Sequence, residues 1–337
     1  MPMNLAFSFP PAIDPRRFAE VIARAEGWGF DMAYTPDQGF FRDPFVALTY
    51  AAARTSRIAL GLGVVNPYTR HPVQIARAAA TLSEACDGRF VLGLGAGERA
   101  NLRDKLGAPQ GPFLAALRDT ITVIRDLFAG KEISLETPVF SLKGVKLDFP
   151  VARPMPLYIA TTDPQGYRLV GELADGIILG DMGDPQAVRW ALGLVAEGAR
   201  AAGRKPEDIA VVGWITTIVT ENMVPVKDKL RRIIAMAARG MHKETRRALA
   251  IDEATVAKIR LLLDGGATVG SDVLADAMLD RMAIVGPPGL CLERIHVLRE
   301  AGVTQLGVRM PAAVAANMDF EGNLRALATE ILPKLKA

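Results

Sequence analysis

Short runs of apolar residues alternate with longer amphipathic stretches along almost the whole chain. The runs are apolar at nearly every position, which is typical of strands covered on both faces. Strands that alternate with helical stretches indicate parallel βα units. Eight strands are predicted: Asn4–Phe9, Met32–Thr35, Ile58–Val65, Arg89–Gly95, Leu157–Ala160, Gly176–Leu179, Ala210–Thr217 and Gln305–Val308. Eight such units in 337 residues predict an α/β fold, a (β/α)8 TIM barrel.

Two segments interrupt this alternation. Residues 131–153 carry Pro138, Gly144 and Pro150 among alternating apolar positions, which indicates a β-like excursion. Residues 221–281 are helical and rich in charged residues, Ala and Met. Because the closing strand comes after this segment, we interpret it as a helical insertion before the last strand. Residues 1–337 are therefore expected to form a single domain.

Charge and composition narrow the function classes. The net charge is only +3, and basic residues alternate with acidic ones, so we expect no nucleic-acid partner. No apolar run is long enough to span a membrane, and Met1–Phe9 lacks the pattern of a signal peptide. Cys86 and Cys291 follow no metal-ligand or redox spacing. Together these features favour a cytoplasmic protein with no membrane association.

Candidate chemistry was sought in the loops that follow the strands, where TIM barrels place their active sites. Asp37 follows the second strand and can hold a ligand amide or fix a turn. Gly61 and Gly63 in the third strand indicate either a backbone surface for a flat ring or tight packing in a narrow barrel. The two explanations are equally compatible with the spacing. His71 is an acid–base candidate or a residue that begins a helix.

Two further loops carry candidates. Glu98 lies on a glycine-rich turn after the fourth strand, near Asn101, where a carboxyl is either a proton donor or a helix cap. Thr161 and Thr162 precede a helix after the fifth strand, so they favour an anion site, an N-cap, or both.

Six motifs spread over nearly the whole chain, in order, resemble the luciferase-like (flavin- or F420-dependent) oxidoreductase superfamily. Within it the chain most resembles the methylenetetrahydromethanopterin reductase branch. The motifs are Asn66-Pro67-Tyr68-Thr69-Arg70-His71-Pro72, Ala80-Thr81-Leu82-Ser83-Glu84 with Gly88-Arg89, Gly93-Leu94-Gly95-Ala96-Gly97, Pro156-Leu157-Tyr158-Ile159-Ala160, Gly171-Glu172-Leu173-Ala174-Asp175-Gly176 and Val285-Gly286-Pro287. Ala301-Gly302-Val303-Thr304-Gln305 supports the branch.

The resemblance implies an enzyme that binds F420 or FMN across the strand ends and acts on a small-molecule substrate. It also implies a homodimer, and a non-prolyl cis peptide between Gly63 and Val64 that supports the cofactor ring. Glu98 corresponds to a proton donor, and Asp37 and Gln38 are the other two candidate catalytic residues. The implied cofactor contacts are Ser8, Asp37, Gly63, Val64, Asn66, Gly97, Asn101, Thr161, Thr162 and Gln165.

Three positions depart from the reductase pattern. Ser8 stands where the reductases carry a functional Glu, Gln38 stands where many F420 enzymes carry His, and Asp163 replaces Gly before Pro164. Since a hydroxyl cannot replace a carboxylic acid as proton donor at neutral pH, the protonation step or the substrate differs. FMN and direct use of NAD(P)H as the electron source therefore stay open.

Three functions follow from these observations. The first is hydride transfer to a C=N or C=C bond, in a methylene-pterin or folate-like substrate. The second is an FMN-dependent monooxygenase that uses O2 and flavin reduced by a partner flavin reductase. The third is a non-catalytic flavin-binding relative, which Ser8 and Gln38 would permit.

Overall fold

The fold was analysed in a computed structural model. The structure describes residues 3–38, 40–97, 105–107, 112–153, 155–310 and 319–336. Two predicted site residues, Glu98 and Asn101, lie outside the described residues.

Eight parallel strands close into a barrel, which confirms the predicted TIM-barrel fold. The strands follow one another around the barrel in chain order, and the last pairs with both the first and its predecessor. Numbered in chain order with all strands of the described residues, they are β1 (Asn4–Ser8), β2 (Met32–Thr35), β3 (Ala59–Val65), β4 (Phe90–Gly95), β7 (Leu157–Ala160), β8 (Gly176–Gly180), β9 (Ala210–Val219) and β11 (Gln305–Arg309).

A further parallel strand, β10 (Ala283–Gly286), is absent from the sequence prediction. It pairs with the carboxyl-terminal part of the long strand β9, beyond the part of β9 that pairs with β11. Its four residues run directly into Pro287, which lies at the N-cap position of a helix that starts at Pro288. So short a strand carries too little pattern to be recognised from the sequence.

Helices cover the outside of the barrel. In the described residues they are α1 (Pro15–Gly27), α2 (Pro44–Ala52), α3 (Pro72–Ala85), α4 (Phe113–Phe128), α5 (Pro164–Leu173), α6 (Pro185–Ala201), α7 (Met223–Gly240), α8 (Lys243–Ala248), α9 (Glu253–Asp264), α10 (Asp276–Asp280), α11 (Pro288–Glu300), α12 (Phe320–Ala326) and α13 (Leu332–Lys336). A π-helical segment, Leu327–Ile331, joins α12 to α13.

Five of these helices start with the same local device. A capping side chain accepts a backbone N–H of the first turn, and proline occupies the first helical position, where no N–H is needed. The caps are Asp14, Asp43, His71, Asp163 and Asp184. All five helices follow barrel strands, so this device sets where the loops at the strand ends finish.

The two interrupting segments have the following structure. Residues 133–145 form an antiparallel hairpin of β5 (Ile133–Glu136) and β6 (Ser141–Val145). Helices α7 to α10 lie between β9 and β10. The buried cations Lys227 and Arg231 of α7 pair with Asp276 and Asp280 of α10, so ion pairs tie this helical segment together.

Buried apolar residues form two clusters. The larger lies between the barrel and its helices. The smaller fills the barrel interior, or lumen, and contains Ala6, Met32, Tyr34, Val91, Ile178, Val212 and Trp214. Among the described residues no helix combines the length and the apolar character needed to cross a membrane.

Candidate active site

Large aromatic side chains fill the lumen. The Tyr34 hydroxyl donates to Gln305 Oε1 at 2.9 Å. The ring of Trp214 lies edge-on to the ring of Tyr34, with 4.9 Å between the ring centroids. Burial raises the pKa of Tyr34 well above its ordinary value, so this phenol stays protonated. The lumen is a packed core below the strand ends, as expected for a barrel of eight strands.

The glycines of β3 make room for these aromatic rings. A Cβ on Gly63 would lie 2.4 Å from Trp214 Cη2, and one on Gly61 would lie 2.6 Å from Tyr34 Cδ1. Both distances are far inside van der Waals contact. The tight-packing explanation for these glycines therefore holds. The peptide bond between Gly63 and Val64 is also cis, as the resemblance implies.

One half of the barrel mouth is apolar and made largely of backbone. Val64 and Ala160 pack against the lumen cluster. A Cβ on Gly95 would lie 2.6 Å from Val64 Cγ2 and 3.1 Å from the Ala160 carbonyl oxygen, so β3, β4 and β7 approach closely here. Because Gly63 and Gly95 have no side chains, the surface here is flat. A flat surface of this kind fits one face of a planar ring.

Asp37 lies beside this surface. Its backbone N–H donates to the Val64 carbonyl at 3.2 Å. Its carboxylate accepts from Arg70 Nε at 2.6 Å, and Arg70 Nη2 reaches Asp43 Oδ2 at the same distance. The guanidinium also lies 5.4 Å from the centre of the Phe45 ring. Arg70 therefore fixes Asp37 relative to the Gly63–Val64 turn, whereas the adjacent Gln38 is exposed.

Asn66 and His71 have structural partners. Asn66 is buried, and its Oδ1 accepts from the N–H groups of Tyr68 and Thr69 and from the Thr69 hydroxyl. His71 Nδ1 accepts from the Val73 N–H at 3.3 Å, which makes it the cap of α3. These bonds hold the loop after β3. The contact between Asn66 and the cofactor that the resemblance implies stays a prediction.

The loop after β7 is held by its own contacts. The Asp163 carboxylate accepts from the N–H groups of Gln165 and Gly166, and Thr161 Oγ1 accepts from the Asp163 N–H at 3.1 Å. The Thr162 hydroxyl accepts from the His242 N–H at 3.0 Å. A fixed carboxylate therefore already occupies the start of α5, where the sequence favours an anion site. The roles of Gly97 and Gln165 also remain predictions.

The other half of the mouth is polar. Asp181 follows β8 in a left-handed conformation (φ 51°), and its N–H donates to the Trp214 carbonyl at 2.9 Å. Both of its carboxylate oxygens accept from Nη1 of Arg309, the last residue of β11. Burial raises the pKa of Asp181, and Arg309 opposes this increase.

Two hydroxyl residues belong to the same half. Ser8 is paired with Arg309 in the β1–β11 register and is buried. Because successive strand residues alternate between faces, Ser8 shares the lumen face with Ala6, and Thr216 shares it with Trp214. Thr216 is fully buried, and its hydroxyl has no hydrogen-bond partner among the described residues.

Five residues at the mouth or in the lumen were not among the site residues predicted from the sequence: Arg70, Asp181, Trp214, Thr216 and Arg309. Asp181 and Arg309 each lie at a strand end, so the position rule used for Asp37 applied to them as well. Their pairing was not readable, since the two residues are 128 positions apart.

The described residues contain no cluster of His, Cys, Asp or Glu that could hold a metal ion. A groove of about 750 Å³ runs between α4, α5 and α6 on the outside of the barrel, and the Arg118–Glu172 pair lines it. Only Gln165 links this groove to the predicted site residues.

Comparison with known proteins supports the resemblance. The family described as "Luciferase-like monooxygenase" matches residues 3–305. The 5,10-methylenetetrahydromethanopterin reductase of Methanolobus tindarius is 30% identical over 92% of this chain and 94% of its own. The corresponding reductase of Archaeoglobus fulgidus is 28% identical over 99% of this chain and all of its own.

A solved structure agrees with these sequence matches. The coenzyme F420-dependent tetrahydromethanopterin reductase of Methanopyrus kandleri superposes with a TM-score of 0.85 at 25% identity and covers both chains completely. The chain therefore belongs to the luciferase-like monooxygenase family and is an oxidoreductase of that family.

Proposed function

We propose that this protein is an F420-dependent reductase that delivers a hydride to the C=N unit of a methylene-pterin or folate-like small molecule. The observation that carries the proposal is the divided barrel mouth, with a flat apolar half at Gly63–Val64 and a polar half at Asp181–Arg309. A planar redox ring fits the first half, and a polar substrate fits the second. The full-length similarity to F420-dependent reductases supports F420, and FMN is the alternative cofactor.

The chain's residues would bind and orient, while a bound F420 or FMN supplies the hydride. Gly63, Val64 and Ala160 would support one face of the ring, and Arg70 would keep Asp37 at its edge. Glu98 is the proposed proton donor, since Ser8 has no acidic group to offer at neutral pH.

Cofactor choice is tested by titrating the purified protein separately with F420 and FMN and recording absorbance and fluorescence. A saturable change with F420 supports the proposal. A saturable change with FMN alone would identify FMN as the cofactor in place of F420. No response to either cofactor would contradict the proposed function.

The role of Glu98 is tested with E98Q. Loss of a general acid typically slows turnover by about 100-fold or more, so the variant should bind F420 normally and turn over slowly. E20Q, at an exposed position of α1, is the matched control and should keep full activity. Unchanged turnover of E98Q would remove Glu98 from the mechanism.

A monooxygenase that uses O2 and flavin reduced by a partner flavin reductase is the second candidate. The family description and the serine at position 8 favour it. Turnover of reduced cofactor without oxygen separates the two functions, because a reductase continues and a monooxygenase stops. Tight cofactor binding without turnover in either condition would identify a non-catalytic relative.

We further propose a cytoplasmic homodimer that associates through α2 and the loop before it. Val46 and Tyr50, one helical turn apart on α2, are 55% and 44% exposed, and Phe40 is 51% exposed. Large apolar side chains that stay exposed on one face of a helix are typical of an interface. Light scattering after gel filtration should give twice the mass of one chain for the wild type. The V46E variant should have the mass of a single chain. A monomeric wild-type protein would contradict the proposal.

A further inference from the structure

The Asp181–Arg309 pair is unusual in its position. The two side chains are 9% and 27% exposed, at the barrel mouth rather than on the outer surface. Asp181 follows β8 and Arg309 ends β11, and both strands pair with β9, so the pair spans the lumen side of the strand that carries Trp214 and Thr216.

The pair leaves both donors and acceptors unused. Among the described residues, the hydrogen bonds of the Arg309 guanidinium all start from Nη1, so the edge formed by Nε and Nη2 remains for a ligand. A carboxylate offers about four acceptor positions, so Asp181 keeps acceptor capacity while it binds Nη1. The Thr216 hydroxyl adds a buried donor or acceptor on the same side.

The charge of the pair restricts the ligand. Arg309 and Asp181 together carry no net charge, so an anion attracted by the guanidinium would meet the adjacent carboxylate. A neutral ring edge with a carbonyl acceptor next to N–H donors satisfies both partners. The Watson–Crick edge of guanine has this arrangement, with one carbonyl oxygen beside an N–H and an amino group.

We propose that Asp181 and Arg309 form the recognition subsite for the lactam edge of the substrate, the 2-amino-4-oxopyrimidine edge of a pterin-type ring. Arg309 donates to the 4-oxo oxygen, and Asp181 accepts from the ring N–H or the 2-amino group. This inference rests on the proposed function, because it assigns a place to the pterin part of that substrate. It gives the polar half of the mouth a role that Ser8 alone cannot fill.

The test compares two fluorescent probes, 6-methylpterin and 2,4-diamino-6-methylpteridine, which differ in whether position 4 carries an oxo group that accepts or an amino group that donates a hydrogen bond. The full chain is titrated with each, with and without F420. Hydrogen bonds to charged groups imply a preference of about 10- to 100-fold for 6-methylpterin in the wild type. R309K and D181N should lose most of this preference, since lysine lacks the planar fork and the amide lacks the charge.

R125K is the matched control, because Arg125 and Asp175 form an Arg–Asp pair outside the mouth, with Asp175 just before β8. It should keep the preference. Circular dichroism and F420 titration report whether R309K and D181N remain folded. If a variant does not fold, a wild-type protein that shows no preference between the two probes still overturns the proposal.

Three outcomes overturn the inference. Wild-type binding of 6-methylpterin with unchanged preference in R309K and D181N removes the subsite and leaves the proposed function intact. Competition of inorganic phosphate with 6-methylpterin, lost in R309K, replaces the lactam site by an anion site. Binding of F420 without binding of either pteridine contradicts the proposed substrate class together with the subsite.

Discussion

Replacement of Gly63 by alanine tests how the lumen is packed. The added methyl group would lie 2.4 Å from Trp214 Cη2, 3.0 Å from Cζ3 and 3.1 Å from Cζ2. Trp214 cannot move aside easily, because Tyr34 meets it edge-on and a Cβ on Gly307 would already lie 3.1 Å from its ring. The strain must therefore be taken up by β3 or by the indole itself.

The expected cost follows from this geometry. Inserting one methyl group into a well-packed core typically costs about 1–3 kcal/mol, and the rigid surroundings of Trp214 place G63A near the upper end. For a chain of this length, each kcal/mol corresponds to roughly 1.5 °C in melting temperature. We therefore expect G63A to lower the melting temperature by about 3–5 °C.

Guanidinium-induced unfolding, followed by circular dichroism, measures the change in the free energy of unfolding. G193A is the control, since Gly193 lies inside α6 and a Cβ there meets nothing within 4 Å. That variant should gain about 0.5–1 kcal/mol from the lower entropy of its unfolded chain. If G63A lowers the free energy of unfolding and G193A raises it, the loss in G63A comes from local packing and not from the removal of a glycine as such.

The W214F substitution completes a double-mutant cycle. Phenylalanine removes the part of the indole that the new methyl group meets, so G63A/W214F should be more stable than the two single losses predict, by about 1 kcal/mol or more. Additive losses, or a G63A variant as stable as the wild type, would refute the packing explanation for Gly63.

Three further outcomes are expected. Burial raises the pKa of Cys86 and brings that of Cys291 to about 11, so the native protein should not react with a thiol reagent near pH 8, whereas the denatured chain shows two reactive thiols; rapid native labelling would contradict their burial. Burial opposes the ionisation of Glu26, but three backbone N–H groups outweigh it and lower its pKa, so its contribution is present above about pH 4.5 and is lost as the pH falls. E26Q should therefore lose about 1 kcal/mol of stability near pH 7 and almost none near pH 3, and an equal loss at both would refute this. R70K should weaken cofactor binding roughly tenfold, because one ammonium group cannot hold Asp37 and a second carboxylate together, and unchanged affinity in a titration would exclude that positioning role.

The sequence by itself determined the barrel and most of its boundaries. Apolar runs identified all eight barrel strands, because a strand buried on both faces must be apolar at nearly every position. At the pairs Asp14-Pro15 and Asp163-Pro164 the start of a helix is also set locally, since the cap and the proline act within one turn of chain. Local chemistry of this kind is written in adjacent residues.

The tertiary structure alone decided what the residues at the strand ends contact. The spacing of Gly61 and Gly63 left ring support and packing equally open, and only the position of Trp214, some 150 residues later, showed which atoms the glycines accommodate. Arg309 and Asp181 met for the same reason: barrel closure brings distant strand ends together, and no local pattern records that distance. The fold was readable because burial imposes a periodic pattern, whereas the site depends on pairings that only closure creates.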